Sequence, residues 1–105
     1  MIDSSVVSKN KVVIQKKGNI VSNMDGETVM LSIDKGNYYN LGVLGGEIWS
    51  LIEEPMKIDD LIVKLMSEYE VQQLDCEEEV LSFISDLYEE DLILLLDGMQ
   101  EIINQ

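Results

Sequence analysis

Between Glu27 and Trp49 the spacing of apolar positions changes once, from every second residue to every third or fourth. Val29, Leu31 and Ile33 alternate with Met30 and Ser32, the period of a strand with one buried face. Asp34-Lys35-Gly36-Asn37 then reads as a tight turn, because Gly36 and Asn37 tolerate the positive φ of short hairpin loops. A short aromatic strand follows at Asn37–Leu41, with Tyr39 and Leu41 on one face and Tyr38 and Asn40 on the other. Upstream, Ile20–Met24 joins the strand of Val29–Ile33 through Asp25-Gly26, a strong hairpin signal. The three runs predict an antiparallel β-meander. Lys11–Gln15 has the composition of a further short strand, but its three consecutive apolar residues leave the buried face unassigned. Residues 1–19 are therefore expected to form an N-terminal arm with at most that short strand, and 97–105 a C-terminal tail around a domain of 20–96.

Three helices are predicted after the meander. Leu44, Ile48, Leu51 and Ile52 share a face of the first, Trp49 widens it, and Gly45-Gly46 lets a neighbouring backbone come close. Pro55 ends it. Ile58, Leu61, Ile62, Leu65, Met66 and Tyr69 form the stripe of the second, with Asp59 and Asp60 at the positive end of its dipole. The third opens at Asp75-x-x-Glu78, an Asp form of the capping box, and runs to about Asp91. Its apolar residues Phe83, Leu87, Val80, Ile84, Tyr88 and Leu81 sweep roughly 160° at ~100° per residue, more than the ~100° a core-facing stripe needs. One edge of that arc is expected to face outward. Leu92–Leu96 closes the domain as a short strand or an extra turn. The expected fold class is α+β, a three-stranded antiparallel meander packed on three α-helices.

Charge narrows the partners. Residues 1–35 hold five Lys against four acids, whereas 36–105 hold two Lys against seventeen acids, so the last two thirds carry the net charge of −14. No Arg occurs. Such a surface repels phosphate backbones and anionic lipid, which speaks against nucleic-acid and membrane partners and favours a cationic one. The run Leu92–Leu96 is too short to span a bilayer. One Cys and no apolar N-terminal run point to a reducing cytoplasm.

The residues for catalysis are sparse. With no His and a single Cys, neither a nucleophile–base pair nor a His/Cys metal site can be assembled. Cys76 would sit in the first turn of the third helix, where the dipole lowers a thiol pKa, but Asp75, Glu77, Glu78 and Glu79 oppose it. Glu77-Glu78-Glu79 lacks the spacing and Gly of a calcium loop, and Gly42-x-x-Gly45-Gly46 lacks the Lys of a phosphate loop. No enzyme activity, cofactor or metal is expected.

The order of motifs is nevertheless specific. E-T-V-M-L-S-I-D-K-G-N-Y-Y-N-L-G-V-L-G-G-E-I-W-S-L-I, then I-D-D-L-I-V-K-L-M-S-E-Y, then C-E-E-E-V-L-S-F-I-S-D-L-Y-E-E-D-L-I, resembles the PqqD-like family of peptide chaperones. These serve as leader-recognition domains in ribosomal peptide-natural-product pathways. The match runs from about Ile20 to Ile93. The resemblance implies a winged helix-turn-helix-like arrangement in which a precursor's leader peptide adds as a fourth, antiparallel strand to Asn37–Leu41 and lies against the third helix. It implies delivery to a maturation protease and a cyclase, as for free-standing members of lasso-peptide pathways, or alternatively to a radical SAM maturase. Against the family pattern, Gly42 stands where Asn or Ser often starts the first helix, and Lys57 where Thr often precedes the second. Glu79 stands for a frequent Asp, and Asp91 for a usual helix-ending Gly.

The expected site joins both lines of argument. Asn37, Tyr38, Tyr39, Asn40 and Leu41 present the pairing edge, because a strand at a sheet margin offers free N–H and C=O groups to an incoming peptide. Val80, Phe83, Ile84 and Leu87 line an apolar groove, and Glu79 and Asp86 receive basic leader residues. The rival readings are a winged-helix DNA-binding regulator, disfavoured by the charge, and a structural subunit that dimerises through Leu92–Leu96 or the free strand edge. The oligomeric expectation is a monomer or a strand-swapped dimer.

Overall fold

The computed structural model describes residues 7–97. Its elements run β1 (Lys11–Gln15), β2 (Asn19–Met24), β3 (Glu27–Ser32), β4 (Asn37–Leu41), α1 (Gly42–Leu51), β5 (Met56–Lys57), α2 (Ile58–Glu68), α3 (Gln73–Glu89) and β6 (Ile93–Asp97). They form an α+β arrangement of three helices and two three-stranded antiparallel sheets, ordered β2-β3-β4 and β5-β1-β6. The meander is as expected, with Ile20 opposite Leu31 and Leu31 opposite Tyr38. The second sheet was not expected. Lys11–Gln15 is its central strand, paired with β5 through Val12 and Val13 and with β6 along its whole length. The three apolar residues in a row reflect that position, since Val12 and Val13 point to opposite faces and both are buried.

The phase of β3 differs from the sequence expectation. The face turned to α1 carries Met30 and Ser32, both buried, whereas Val29 and Leu31 are half-buried on the outer face and Ile33 is exposed. The cause is the approach of α1. A Cβ on Gly46 would lie 2.6 Å from the Cβ of Thr28, so only glycine lets the helix close on that face of the strand. Ser32 fits beneath it because it is small. The neighbours crowding Gly45 and Gly46 are side chains, those of Phe83 and Thr28, rather than a backbone.

Between the sheets and helices lies one core containing Val13, Met30, Ile48, Trp49, Ile52, Ile58, Leu61, Leu65, Val80, Ile84, Leu92 and Ile93. Helix α3 starts at Gln73, two residues before the expected Asp75, and Gln72 caps it without a side-chain hydrogen bond, so the Asp75-x-x-Glu78 pattern lies inside the first turns. At its other end Asp91 has φ of 62°, and its N–H bonds the carbonyl of Tyr88 while that of Leu92 bonds Leu87. This is the left-handed exit that glycine normally supplies, here made by Asp with its carboxylate on Lys16 Nζ. It throws Leu92 and Ile93 into the core, resolving Leu92–Leu96 as the start of a strand. The expected tail lies, from residue 98, outside the described residues, as do residues 1–6 of the arm.

Candidate functional site

β4 hydrogen-bonds only β3 among the described residues, so its second edge carries unpaired backbone groups. It leads directly into α1 through Gly42, whose φ of 74° turns the chain and whose N–H is held by Asn40 Oδ1 at 2.9 Å. Tyr38 and Asn40 face solvent, and Tyr38 is 74% exposed. Tyr39 and Leu41 pack half-buried against the core on the helix side. The expected division of faces is therefore present.

Side chains of α3 and of the turn after it reach the two ends of this strand. At the Asn37 end, Tyr39 Oη donates to Glu90 Oε1 at 2.8 Å and receives the Asn37 amide at 3.3 Å, and Lys35 Nζ donates to the Glu90 carbonyl. The Asn37 bond lowers the Tyr39 pKa, but burial and the Glu90 carboxylate outweigh it and raise the phenol above its ordinary value. At the Leu41 end, Phe83 bridges to α1: a Cβ on Gly45 would lie 2.9 Å from its Cε1 and 3.3 Å from the Cβ of Leu41. β4 and the α3 stripe beside it thus form a shallow trough.

The composition of that stripe departs from the expected one. Val80 and Ile84 have no exposed surface and Leu87 is 3% exposed, so these three belong to the core instead of lining the groove. Phe83, at the edge of the apolar arc, is the one of the four that stays half-exposed. The positions sharing its face at i, i+4, i+7 and i+11 are Glu79, Phe83, Asp86 and Glu90, one aromatic among three carboxylates. Glu79 and Asp86 are exposed, and neither is in an ion pair among the described residues. Sequence reasoning missed Glu90, although its spacing from Asp86 carried the signal.

Past the Leu41 end of β4 there is a cavity of about 490 Å³ between the start of α1, the end of α2 and the start of α3. Val43, Leu44, Leu65, Val71 and Cys76 give it an apolar lining, and Glu70, Asp75 and Glu79 stand among its walls. Cys76 is buried, and desolvation, then the charges of Glu79 and Glu77, push its thiol above the ordinary value. It is held as a neutral thiol, a poor nucleophile. No group of three or more His, Cys, Asp or Glu suited to a metal ion is found among the described residues, and no helix among them is long and apolar enough to cross a membrane.

The family described as coenzyme PQQ synthesis protein D, PqqD, matches residues 27–93. The chain belongs to the PqqD family. That span covers the meander's last two strands, all three helices and the first residue of β6. No curated protein matches the chain. Among solved structures it is similar to TbiB1 in complex with the TbiA(beta) leader peptide, at 26% identity and a TM-score of 0.68 over 76% of this chain and 93% of that one. It also shares the fold of a lasso peptide synthetase B1 complexed with the leader peptide, at 24% identity and a TM-score of 0.63 over 78% of this chain and 96% of that one. A PqqD-family fold with an unpaired β4 edge is the frame for the functional reading.

Proposed function

We propose that this protein is a non-catalytic module that binds the leader segment of a ribosomal precursor peptide by strand addition to β4. The observation carrying the reading is the β4 edge, unpaired among the described residues, with the half-exposed Phe83 of α3 near its Leu41 end. Backbone hydrogen bonds along Asn37–Leu41 supply affinity, and side chains on alternate positions of the guest supply selectivity. Tyr38 and Asn40 flank the guest strand on its outer face, while Tyr39, Leu41 and Phe83 meet it on the inner one. Val80, Ile84 and Leu87 back Phe83 from within the core, and Glu79 and Asp86 accept basic residues of the leader. Exposed pairs of that kind contribute only about 0–1 kcal/mol each. The similarity to TbiB1, which is in complex with a leader peptide, supports this choice of ligand.

The next step is delivery of the bound leader to a maturation protease and a cyclase. A second destination, a radical SAM maturase, is favoured by the family's description as a coenzyme PQQ synthesis protein. Pull-down of each enzyme class with and without leader distinguishes them.

The test uses two synthetic probes, the TbiA(beta) leader peptide and the leader of any short precursor found in a neighbouring reading frame. Phe83→Ala should weaken binding about tenfold in titration calorimetry, as for truncation of a central aromatic contact. Circular dichroism should remain unchanged because the ring is not a core member. On binding, outward-facing amides of β4 should gain protection from hydrogen exchange. Unchanged affinity in Phe83→Ala together with unprotected β4 amides refutes strand addition here.

A further inference from the structure

We propose that the cavity at the Leu41 end of β4 is a second anchoring subsite that reads a basic residue next to an apolar one in the bound peptide. This rests on the strand-addition reading, because the occupant is the part of the same peptide that runs past Leu41. Three observations converge on it.

The first is continuity. Val43 and Leu44, two and three residues past the end of β4, line the cavity, and so does Glu79, one turn before Phe83 on the same face of α3. The second is chemistry. Val43, Leu44, Leu65 and Val71 give the interior an apolar surface, and about 490 Å³ is ample for one leucine- or tyrosine-sized side chain.

The third is unbalanced charge. Glu70, Asp75 and Glu79 stand around the apolar lining without an ion-pair partner among the described residues. Five of the seven lysines are engaged elsewhere: Lys9 with Glu77, Lys11 with Asp97, Lys16 with Asp91, Lys64 with Glu68 and Lys35 with the Glu90 carbonyl. Nearby, Tyr69 lines the cavity and donates to Glu47 Oε1 at 2.8 Å. A lysine or arginine of the peptide pairs with Glu70, Asp75 or Glu79 while its neighbour fills the cavity. An acidic residue at the same place meets like charge.

The experiment is an mRNA-display selection from a library of random 16-residue peptides, run in parallel on three full-length proteins. These are the wild type, the variant Glu70→Gln/Asp75→Asn/Glu79→Gln, and a control neutralised at Asp25→Asn/Glu53→Gln/Glu54→Gln. The control sites lie in the β2–β3 turn and just beyond α1, whereas the cavity lies at the start of α1. Trp49 fluorescence and circular dichroism verify folding, and Glu79→Gln alone substitutes if the triple variant is impaired.

Wild type and control should both select peptides with an alternating apolar segment plus a Lys or Arg within two residues of a further apolar residue. The cavity variant should keep the alternation and lose the basic enrichment. Replacing that Lys by Gln in a selected peptide should weaken wild-type binding about fivefold and cavity-variant binding hardly at all. Alternating peptides with equal basic content on all three proteins overturn the subsite and leave strand addition standing. Equal loss of basic enrichment in the control assigns the effect to overall charge and also overturns the subsite. Absence of alternating peptides from the wild-type selection overturns the subsite and strand addition together.

Discussion

Gly45 and Gly46 are adjacent on α1, yet the structure assigns them opposite sensitivities to the same substitution. Alanine in a helix interior is worth about 1 kcal/mol over glycine, which favours both variants equally. At Gly45 the new Cβ would lie 2.9 Å from Cε1 and 3.0 Å from Cζ of Phe83, the far end of a half-exposed ring. A withdrawal of about 0.7 Å restores ordinary contact, and a small χ rotation of that kind costs about 0.5–1 kcal/mol. Gly45→Ala should therefore lie within about 1 kcal/mol of wild type. At Gly46 the Cβ would meet Thr28 Oγ1 at 2.0 Å and Thr28 Cβ at 2.6 Å, atoms fixed to the strand backbone. Relief requires α1 to lift from β3, loosening Met30 and Trp49, so Gly46→Ala should lose about 2–4 kcal/mol even after the propensity gain. Urea denaturation followed by Trp49, the sole tryptophan and 4% exposed, reads both. The two also separate function from stability, because displacing the Phe83 ring tip should weaken leader binding several-fold in a fully folded Gly45→Ala protein. Equal destabilisation of the two variants, or a Gly46→Ala protein as stable as wild type, would refute the packing argument.

Three further outcomes are expected. Asp91→Gly should be stabilising by roughly 0.5–1 kcal/mol in urea, because φ of 62° strains a residue with a Cβ and the loss of an exposed ion pair to Lys16 offsets little. Hydrogen bonding to Lys16 holds the Asp91 carboxyl below its ordinary value of 3.8, so that stabilisation is complete above about pH 5 and lost as pH falls through the depressed folded value. The melting-temperature difference between wild type and Lys16→Met should accordingly shrink as the pH is taken down through the depressed value; a constant difference would contradict it. Cys76, nearly buried in the cavity lining and pushed towards the neutral thiol, should react with a disulfide reagent at pH 8 several-fold more slowly than in the urea-unfolded protein, and equal rates would contradict the raised pKa.

Local pattern revealed the elements whose signal is contained in a few residues. Asp25-Gly26 and the Gly36-Asn37 turn fixed the meander, and the apolar stripe from Ile58 to Leu65 fixed α2, because turn chemistry and helical period are short-range properties. Tertiary choices were invisible to the same reading. Alternation in β3 shows that two faces differ but not which one α1 covers, and the close contact of Gly46 with Thr28 decides that. β1 was indistinct because a strand buried on both sides loses its alternation, and its partners lie as far away in sequence as Leu96. Of the candidate site, the edge position of β4 and the half-exposure of Phe83 are as the sequence led one to expect. Val80, Ile84 and Leu87 were misread because an apolar arc locates its own edges only once the neighbouring strand is in place.

A free edge alone would not identify the binding strand, since β2, β4 and β6 each pair on one side only among the described residues. The distinction lies in what borders each edge. A guest strand must satisfy its backbone and also bury side chains on one face, because ladder bonds exchange for water at little net gain. On β6, Leu94 and Leu96 are exposed, 46% and 38%, uncovered by any element among the described residues. β2 is bordered by a polar recess containing Gln15, Asn19, Asn23 and Ser50. At β4 a helix lies alongside, tied to the strand by Tyr39 and Glu90 at one end and packed through Phe83 and Gly45 at the other. A guest there gains a ladder on one side and an aromatic floor on the other. The same reasoning makes Glu90 more than a bystander: Tyr39→Phe frees the Asn37 end of the trough while leaving the edge intact, so it should loosen the guest at that end without abolishing pairing at Leu41. Hydrogen exchange resolved by residue reads the two ends separately, and uniform loss of protection along β4 would show that the helix does not brace the strand locally.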